Sequence, residues 1–187
     1  DNKYLQSAYG RIYLETGEYE AAIVALSSAT AKDSLDMDVL VNLGKTFEKK
    51  NDLQSAFYYY TEVDKMYPEN TEIHERMAKI KSAQKAHEAA IRILERGIKY
   101  HSDNPNLYFL LGREHELADQ YEAAISSYQT ALKMGKGKPV EAFRYMGNIY
   151  YDKLVNSKKA KEFYKKYVKV SDNQEYVAEV MKKLEGI

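Results

Sequence analysis

The side chains best suited to chemistry are four histidines: His74, His87, His101 and His115. None of them forms an H-x-x-x-H pair, and no carboxylate lies at ligand spacing from two of them, as a zinc site requires. The chain has no cysteine, which excludes disulfides and thiolate metal sites. No G-x-S-x-G nucleophile motif is present. We therefore predict that the protein is not an enzyme and that it has neither a metal site nor a cofactor.

A second set of charged side chains recurs at a fixed interval. Four cations stand 34 residues apart, namely Arg11, Lys45, Lys79 and Arg113. Residues at one position of a repeat line up along a repeat protein. Such a row can hold acidic side chains or a terminal carboxylate through charge-assisted hydrogen bonds. The alternative is a solvated face, the usual role of exposed charges on helices.

The apolar residues follow the same interval and predict the elements that carry these cations. A first stripe with the i, i+3, i+4, i+7 spacing of an α-helix is formed by Leu40, Leu43, Gly44 and Phe47. After the breaker Asn51-Asp52, a second helical stripe is formed by Ala56, Tyr60 and Val63. Glycine recurs inside the first helix at Gly10, Gly44, Gly112 and Gly147. Because glycine within a helix costs roughly 1 kcal/mol, its recurrence predicts a close helix crossing, with Ala56 as the small residue opposite Gly44.

The pattern resembles that of the tetratricopeptide repeat (TPR) family, W-x2-L-G-x2-Y…A-x3-F…P. The second copy reads Leu40-x2-Leu43-Gly44-x2-Phe47…Ala56-x3-Tyr60…Pro68, and the fourth reads Tyr108-x2-Leu111-Gly112-x2-His115…Ala124-x3-Tyr128 without the proline. The resemblance implies an all-α, right-handed α-solenoid of five helical hairpins plus a C-terminal capping helix. We expect a single domain over residues 1–187, with repeats at about 3–36, 37–70, 71–104, 105–139 and 140–173 and a cap at 174–184.

Three places depart from the pattern. In the third repeat, His74 and Lys81 occupy apolar positions of the first helix, so that the hairpin is either partly exposed or marks a site. The joint Met134–Pro139 is one residue longer than its equivalents and is Gly- and Lys-rich. It lacks the spacing of a phosphate-binding loop, and we interpret it as a linker. The turn Asp152–Lys158 is also one residue longer.

In the TPR family, the first helices of successive repeats line a concave groove that binds a peptide. Carried onto this chain, the resemblance implies a protein or peptide partner, of acidic character if the cation row takes part. The residues expected to bind it are Arg11, Asn42, Lys45, Arg76, Lys79, Phe109, Arg113, Arg144 and Asn148. The carboxylate clamp of chaperone-binding TPR domains is not reproduced. Of its Lys-Asn-Asn-Lys-Arg set, only Asn42 and Arg76 agree among the matching positions Ser7, Arg11, Asn42, Glu72 and Arg76.

The charge balance bears on the other functional classes. Lys+Arg and Asp+Glu both total 28, whereas a nucleic-acid-binding domain usually has a basic excess. No apolar run approaches the ~20 residues of a membrane span, so neither nucleic-acid binding nor direct membrane insertion is expected. The sequence leaves a cytoplasmic or a periplasmic location open, and also whether repeats or a targeting segment precede Asp1.

The charges are nevertheless unevenly distributed along the chain. Residues 1–38 carry three basic and seven acidic side chains, and residues 153–187 carry nine basic and five acidic ones. Oppositely charged ends favour head-to-tail contacts between copies. Self-assembly into a homo-oligomer through the two ends is therefore the alternative to groove binding.

Overall fold

The computed structural model describes residues 3–30 and 36–186, and every regular element in those two ranges is helical. The helices are α1 Lys3–Thr16, α2 Tyr19–Thr30, α3 Met37–Lys49, α4 Leu53–Met66, α5 Thr71–Ala83, α6 His87–Tyr100, α7 Pro105–Leu117, α8 Tyr121–Met134, α9 Glu141–Asn148, α10 Ser157–Val170 and α11 Gln174–Glu185. A π-helical turn, Ile149–Lys153, continues α9. The predicted all-α class is confirmed.

The chain forms two compact units, Asp1–Gln84 (unit 1) and Lys85–Ile187 (unit 2). Within unit 1, α1 packs on α2, α3 packs on α4, and α4 also contacts α5. Within unit 2, α7 packs on α6 and α8, while α10 packs on α9 and α11. The boundary between the units lies between α5 and α6, the two helices of the third predicted repeat.

The turns inside the hairpins share one backbone feature. Residues at 34-residue spacing adopt positive φ, with values of 84°, 62°, 57° and 58° at Gly17, Asn51, Lys85 and Asp119. This left-handed conformation reverses the chain after the first helix. Asp52 then begins α4, since its side chain accepts a hydrogen bond from the Ser55 backbone N–H at 3.1 Å.

The recurring glycines are required by large side chains on the second helix. A Cβ atom added at Gly112 would lie 2.6 Å from Cδ1 of Tyr128, closer than real contacts allow. The same overlap would occur between Gly44 and Tyr60, Gly147 and Tyr164, and Gly10 and Leu26. The predicted close approach is present, but the atoms nearest Gly44 belong to the Tyr60 ring rather than to Ala56, which is itself fully buried.

The additional residue of the fifth repeat is accommodated in the π-helical turn Ile149–Lys153, because one inserted residue widens the local helical turn. The buried tyrosine of this repeat also has a different hydrogen-bond partner, because Tyr151 stands where the second and fourth repeats carry a glutamate. The Tyr164 hydroxyl donates to Asn148 Oδ1 at 2.8 Å. In the second and fourth repeats, the equivalent tyrosines donate to a glutamate twelve residues earlier.

The helix α11 covers the last hydrophobic surface of unit 2. Val180 is fully buried, and Val177 and Leu184 pack against the same core. Two further apolar residues of this helix, Tyr176 and Met181, stay partly exposed.

His74, one of the departures from the pattern, is a core residue and not an exposed one. Its side chain is buried, with Nδ1 3.1 Å from the Asn70 carbonyl oxygen and Nε2 3.2 Å from Oδ1 of buried Asp64. The third-repeat histidine therefore takes part in a buried polar pair between α4 and α5. Lys81 covers the Phe57 ring, with Nζ 4.0 Å from its centroid.

Candidate interaction surface

The first helices of unit 1 form a polar cleft. A cavity of about 450 Å³ is lined by α1, α3 and the start of α5, and three of the predicted binding residues lie on its wall: Arg11, Asn42 and Lys45. Lys45 also lines a neighbouring cavity of about 390 Å³, together with Arg76. The structure thus brings four of the sequence-predicted residues to adjacent clefts. Lys79, on α5, is exposed but lines neither of these two cavities.

The cations of this cleft are engaged within the protein. Lys45 Nζ lies 2.9 Å from Glu72 Oε1, and Arg76 Nε lies 3.0 Å from the same oxygen. Arg76 also reaches Glu48 Oε2 at 2.9 Å, and the buried Tyr60 hydroxyl donates to that oxygen at 2.7 Å. The result is a continuous network that joins α3, α4 and α5. Consequently, Lys45 and Arg76 are partly neutralised before any partner binds.

The network shifts the pKa values of two of its members. Burial acts to raise the pKa of Glu72, but the hydrogen bonds from Lys45 and Arg76 outweigh it and hold the pKa below its usual value. Burial, and then the hydrogen bond to Glu48, raise the pKa of Tyr60 far above its usual value. At neutral pH, Glu72 is therefore a carboxylate and Tyr60 a neutral hydroxyl donor.

The equivalent surface of unit 2 is aromatic. The Phe109 ring of α7 lies 5.9 Å from the Tyr145 ring of α9, and the buried Tyr128 ring stacks on Tyr145 at 5.7 Å. Arg113 extends over the same Tyr145 ring, with Cζ 4.1 Å from its centroid. Its contact with a carboxylate is long, at 3.7 Å from Nη1 to Glu116 Oε2. Arg113 therefore differs from Lys45 in being held chiefly by an aromatic ring.

Arg144 is placed differently from an exposed groove residue. Its surface is only 9% exposed, and its guanidinium lies between two rings, 4.6 Å from the Tyr145 centroid and 4.1 Å from that of Tyr176 on α11. The Nε atom is buried without a hydrogen-bond partner. Asn148 is partly committed as well, since its Oδ1 accepts hydrogen bonds from Tyr164 at 2.8 Å and from Lys183 at 3.0 Å.

Tyr176 was not among the predicted binding residues, although it contacts the predicted cation Arg144. It lies in the capping helix, and no fixed sequence spacing reports a contact between that helix and α9. The contact of Arg113 with Tyr145 likewise joins two repeats. By contrast, the pairing of Arg76 with Glu72 has a sequence signal, because the two residues are at i,i+4 spacing.

The histidines do not converge on a common centre. His87 Nδ1 lies 2.9 Å from Oε2 of buried Glu114, and His115 Nδ1 lies 2.6 Å from Gln120 Oε1. In the two described ranges, no group of three or more His, Asp or Glu side chains is arranged to hold a metal ion. The described helices also include none whose length and apolar character suit a membrane crossing.

Comparisons with known proteins agree with the helical-repeat fold. Models of the tetratricopeptide repeat family match residues 10–51, 49–114 and 105–134. MamA 41-end from Desulfovibrio magneticus RS-1 is a similar solved structure, with a TM-score of 0.81, 21% identity and coverage of 93% of this chain and 97% of that one. A second MamA structure has a TM-score of 0.81 and 20% identity, and covers 89% of this chain and 90% of that one. A search of curated protein sequences finds no match.

Proposed function

Since the chain belongs to the tetratricopeptide repeat family, we propose that it is a non-catalytic scaffold or adaptor that binds a segment of a protein partner along the first helices of its repeats. TPR repeats are protein-interaction modules. What we propose for this chain is which of its surfaces contacts the partner. The polar cleft of unit 1 and the aromatic surface of unit 2 are each a candidate contact area for a partner segment.

One observation carries this proposal. Arg11 of α1 and Asn42 and Lys45 of α3 come from different repeats, yet they line the same cavity of about 450 Å³. The cleft contains both basic and acidic side chains, because Asp38 and Glu72 lie beside the cations. Such a surface suits the mixed donors and acceptors of an extended polypeptide. It suits a uniformly anionic nucleic acid less well, because the acidic groups would repel phosphates.

A peptide array tests the proposal. Purified protein is applied to immobilised peptides of random sequence, and the best binder is measured by fluorescence anisotropy. Combining Arg11→Gln with Asn42→Ala should weaken that binding about tenfold or more, because both changes remove hydrogen bonds to the peptide. Gln54→Ala, at an exposed position of α4, is the matched control. Equal affinity of the double variant and the wild type would place the peptide elsewhere, and an array without any bound peptide would refute the proposed function.

A second candidate function is self-assembly, and the surface of α1 favours it. Leu5, Tyr9 and Ile12 form one apolar face at i, i+4, i+7 spacing, and each is about half exposed. Adjacent apolar residues of this kind are typical of interaction surfaces. The acidic residues 1–38 and the basic residues 153–187 supply complementary charge for a second copy of the chain.

Sedimentation velocity over a range of protein concentrations tests this alternative. If the protein self-assembles, its average sedimentation coefficient should rise with protein concentration at low salt, and Ile12→Glu should abolish that rise. Val24→Glu is the matched control, because Val24 is exposed on α2 outside the stripe. A monomer at every concentration in low salt would exclude self-assembly and leave peptide binding as the function.

A further inference from the structure

Arg144 is a buried cation that has no anionic partner among the residues that the structure describes. In residues 3–30 and 36–186, no carboxylate lies within ion-pair distance of its guanidinium, and Nε has no hydrogen-bond acceptor. Removing a charge from water without a counter-charge is strongly unfavourable. The Tyr145 and Tyr176 rings offset part of that cost through cation–π contacts, with guanidinium carbon to ring-centre distances of 4.6 and 4.1 Å. The contacts of the Arg144 guanidinium with these two rings are cation–π contacts and do not provide an acceptor for its Nε–H.

A second guanidinium lies close to the first. Arg113 and Arg144 both approach the Tyr145 ring, at 4.1 and 4.6 Å from its centroid. The two groups are therefore within roughly 9 Å of each other, a separation at which like charges repel in a partly buried setting. Glu116 compensates the charge of Arg113 only weakly, since its Oε2 lies 3.7 Å from Arg113 Nη1. The same oxygen already accepts a hydrogen bond from the Tyr128 hydroxyl at 2.7 Å.

We infer that Arg113 and Arg144 form a binding site for a carboxylate of the partner segment, in unit 2, on the platform of Tyr145. This inference rests on the proposed function, since the carboxylate is an Asp or Glu side chain or the C-terminus of the bound segment. A guanidinium presents a planar fork of donors that matches the two oxygens of a carboxylate. One carboxylate between two such forks satisfies the free donors and removes the repulsion between the two cations.

The site differs from the cleft of unit 1 in a way that supports this assignment. In unit 1 the cations already have carboxylate partners, with Lys45 and Arg76 both bound to Glu72. In the described part of unit 2, residues 85–186, no carboxylate takes that place for Arg144. The apolar residues beside the site, Phe109 and Tyr176, favour an acidic residue that is flanked by hydrophobic or aromatic residues in the partner.

The first test is the composition of the peptides that the wild-type protein binds on the array. An enrichment in Asp, Glu or free C-terminal carboxylates supports the inference. Peptides that bind without such enrichment overturn it and leave the proposed function standing, whereas no bound peptide at all refutes both. Spots with phosphorylated side chains belong on the same array, because selective binding of phosphopeptides would overturn the carboxylate assignment.

The second test uses an acidic peptide from that array and its matched version with Gln and Asn in place of Glu and Asp. Arg144→Met and Arg113→Gln should each weaken binding of the acidic peptide about tenfold or more, as the loss of a charged hydrogen bond predicts. Neither should change the weaker binding of the amide version. Arg92→Gln, at an exposed position of α6 in the same unit, is the control for a general loss of positive charge.

Thermal stability separates a ligand site from a structural contact. Methionine removes the buried charge of Arg144 and provides a flexible apolar side chain that packs well against aromatic rings, so Arg144→Met should leave the melting temperature unchanged or raise it. A lower melting temperature with unchanged peptide affinity would show that Arg144 only anchors α11 through Tyr176, and would overturn the inference.

Discussion

The glycine of the fourth repeat offers a direct test of the hairpin packing. In an uncrowded helix, Gly112→Ala would stabilise the protein by about 1 kcal/mol. In this structure the new methyl group would lie 2.6 and 2.7 Å from Cδ1 and Cε1 of Tyr128. The Tyr128 ring cannot easily retreat, because it is fully buried, stacks on Tyr145 and donates its hydroxyl to Glu116.

The two contributions have opposite signs, and crowding is the larger one. Forcing an additional methyl group into a packed site costs about 1–3 kcal/mol, which exceeds the gain in helix propensity. We expect Gly112→Ala to lower the free energy of unfolding by about 1 kcal/mol. Urea denaturation followed by far-UV circular dichroism measures the change, provided that the slope of the transition stays constant.

The third repeat supplies the matched control. It carries Ala78 and Leu94 where the fourth repeat has Gly112 and Tyr128, and both residues are buried. Tyr128→Leu in the Gly112→Ala background should therefore show a favourable coupling of about 1 kcal/mol or more in a double-mutant cycle. Stabilisation by Gly112→Ala together with zero coupling would mean that the two side chains do not meet.

Three further predictions follow from individual contacts. Val155 has φ of 47° and is 83% exposed. Val155→Gly should raise the free energy of unfolding by about 1 kcal/mol, since it relieves left-handed strain without loss of packing. A lower free energy of unfolding in urea denaturation would contradict this prediction. Glu72 has a lowered pKa when folded, so its contribution to stability is complete above its unfolded pKa of about 4.3 and is lost as pH falls through the lower folded value. Thermal melts at pH 3–7 should accordingly show a smaller acid-induced loss for Glu72→Gln than for the wild type. His74→Leu should cost about 3–5 kcal/mol, because it leaves buried Asp64 without its imidazole, and the double change with Asp64→Leu should recover most of that loss; equal unfolding curves for the single and double variants would contradict the pairing.

Much of the fold was predictable because the family pattern reports local packing. The apolar stripes around Gly44 and Gly112 predict both helices of a hairpin, and the observed helices begin and end close to the expected repeat limits. The π-helical turn was not predicted, although the additional residue near Asp152 was visible in the sequence. A one-residue insertion can either widen a helix or lengthen the turn after it. Here the helix widens into the π-helical turn, and Tyr164 still packs against Gly147 as its equivalents do in the other repeats.

The candidate site was less predictable, because its electrostatics depend on contacts between repeats. Lys45 and Arg113 occupy the same repeat position, but Lys45 is paired with Glu72 of the next repeat, whereas Arg113 lies over Tyr145 of its own next repeat. The residue that decides each outcome lies outside the family pattern. A row of like charges in the sequence therefore does not predict a row of like sites.

The same reasoning indicates where specificity is expected to lie in this chain. The pattern residues, such as Gly112 and Tyr128, must satisfy the crossing within a hairpin and cannot vary without a cost in packing. The positions beside them can carry a carboxylate or an aromatic ring with little effect on the backbone. Where the neighbour is a carboxylate, the cation is satisfied within the protein and contributes to stability. Where the neighbour is a ring, as for Arg144, the Nε donor has no acceptor among the described residues, and we infer that a partner compensates the charge. Exchanging Tyr145 for Glu should thus convert the second case into the first, so that binding of the acidic peptide is lost; retained binding in that variant would show that the Arg144 guanidinium does not contact the peptide.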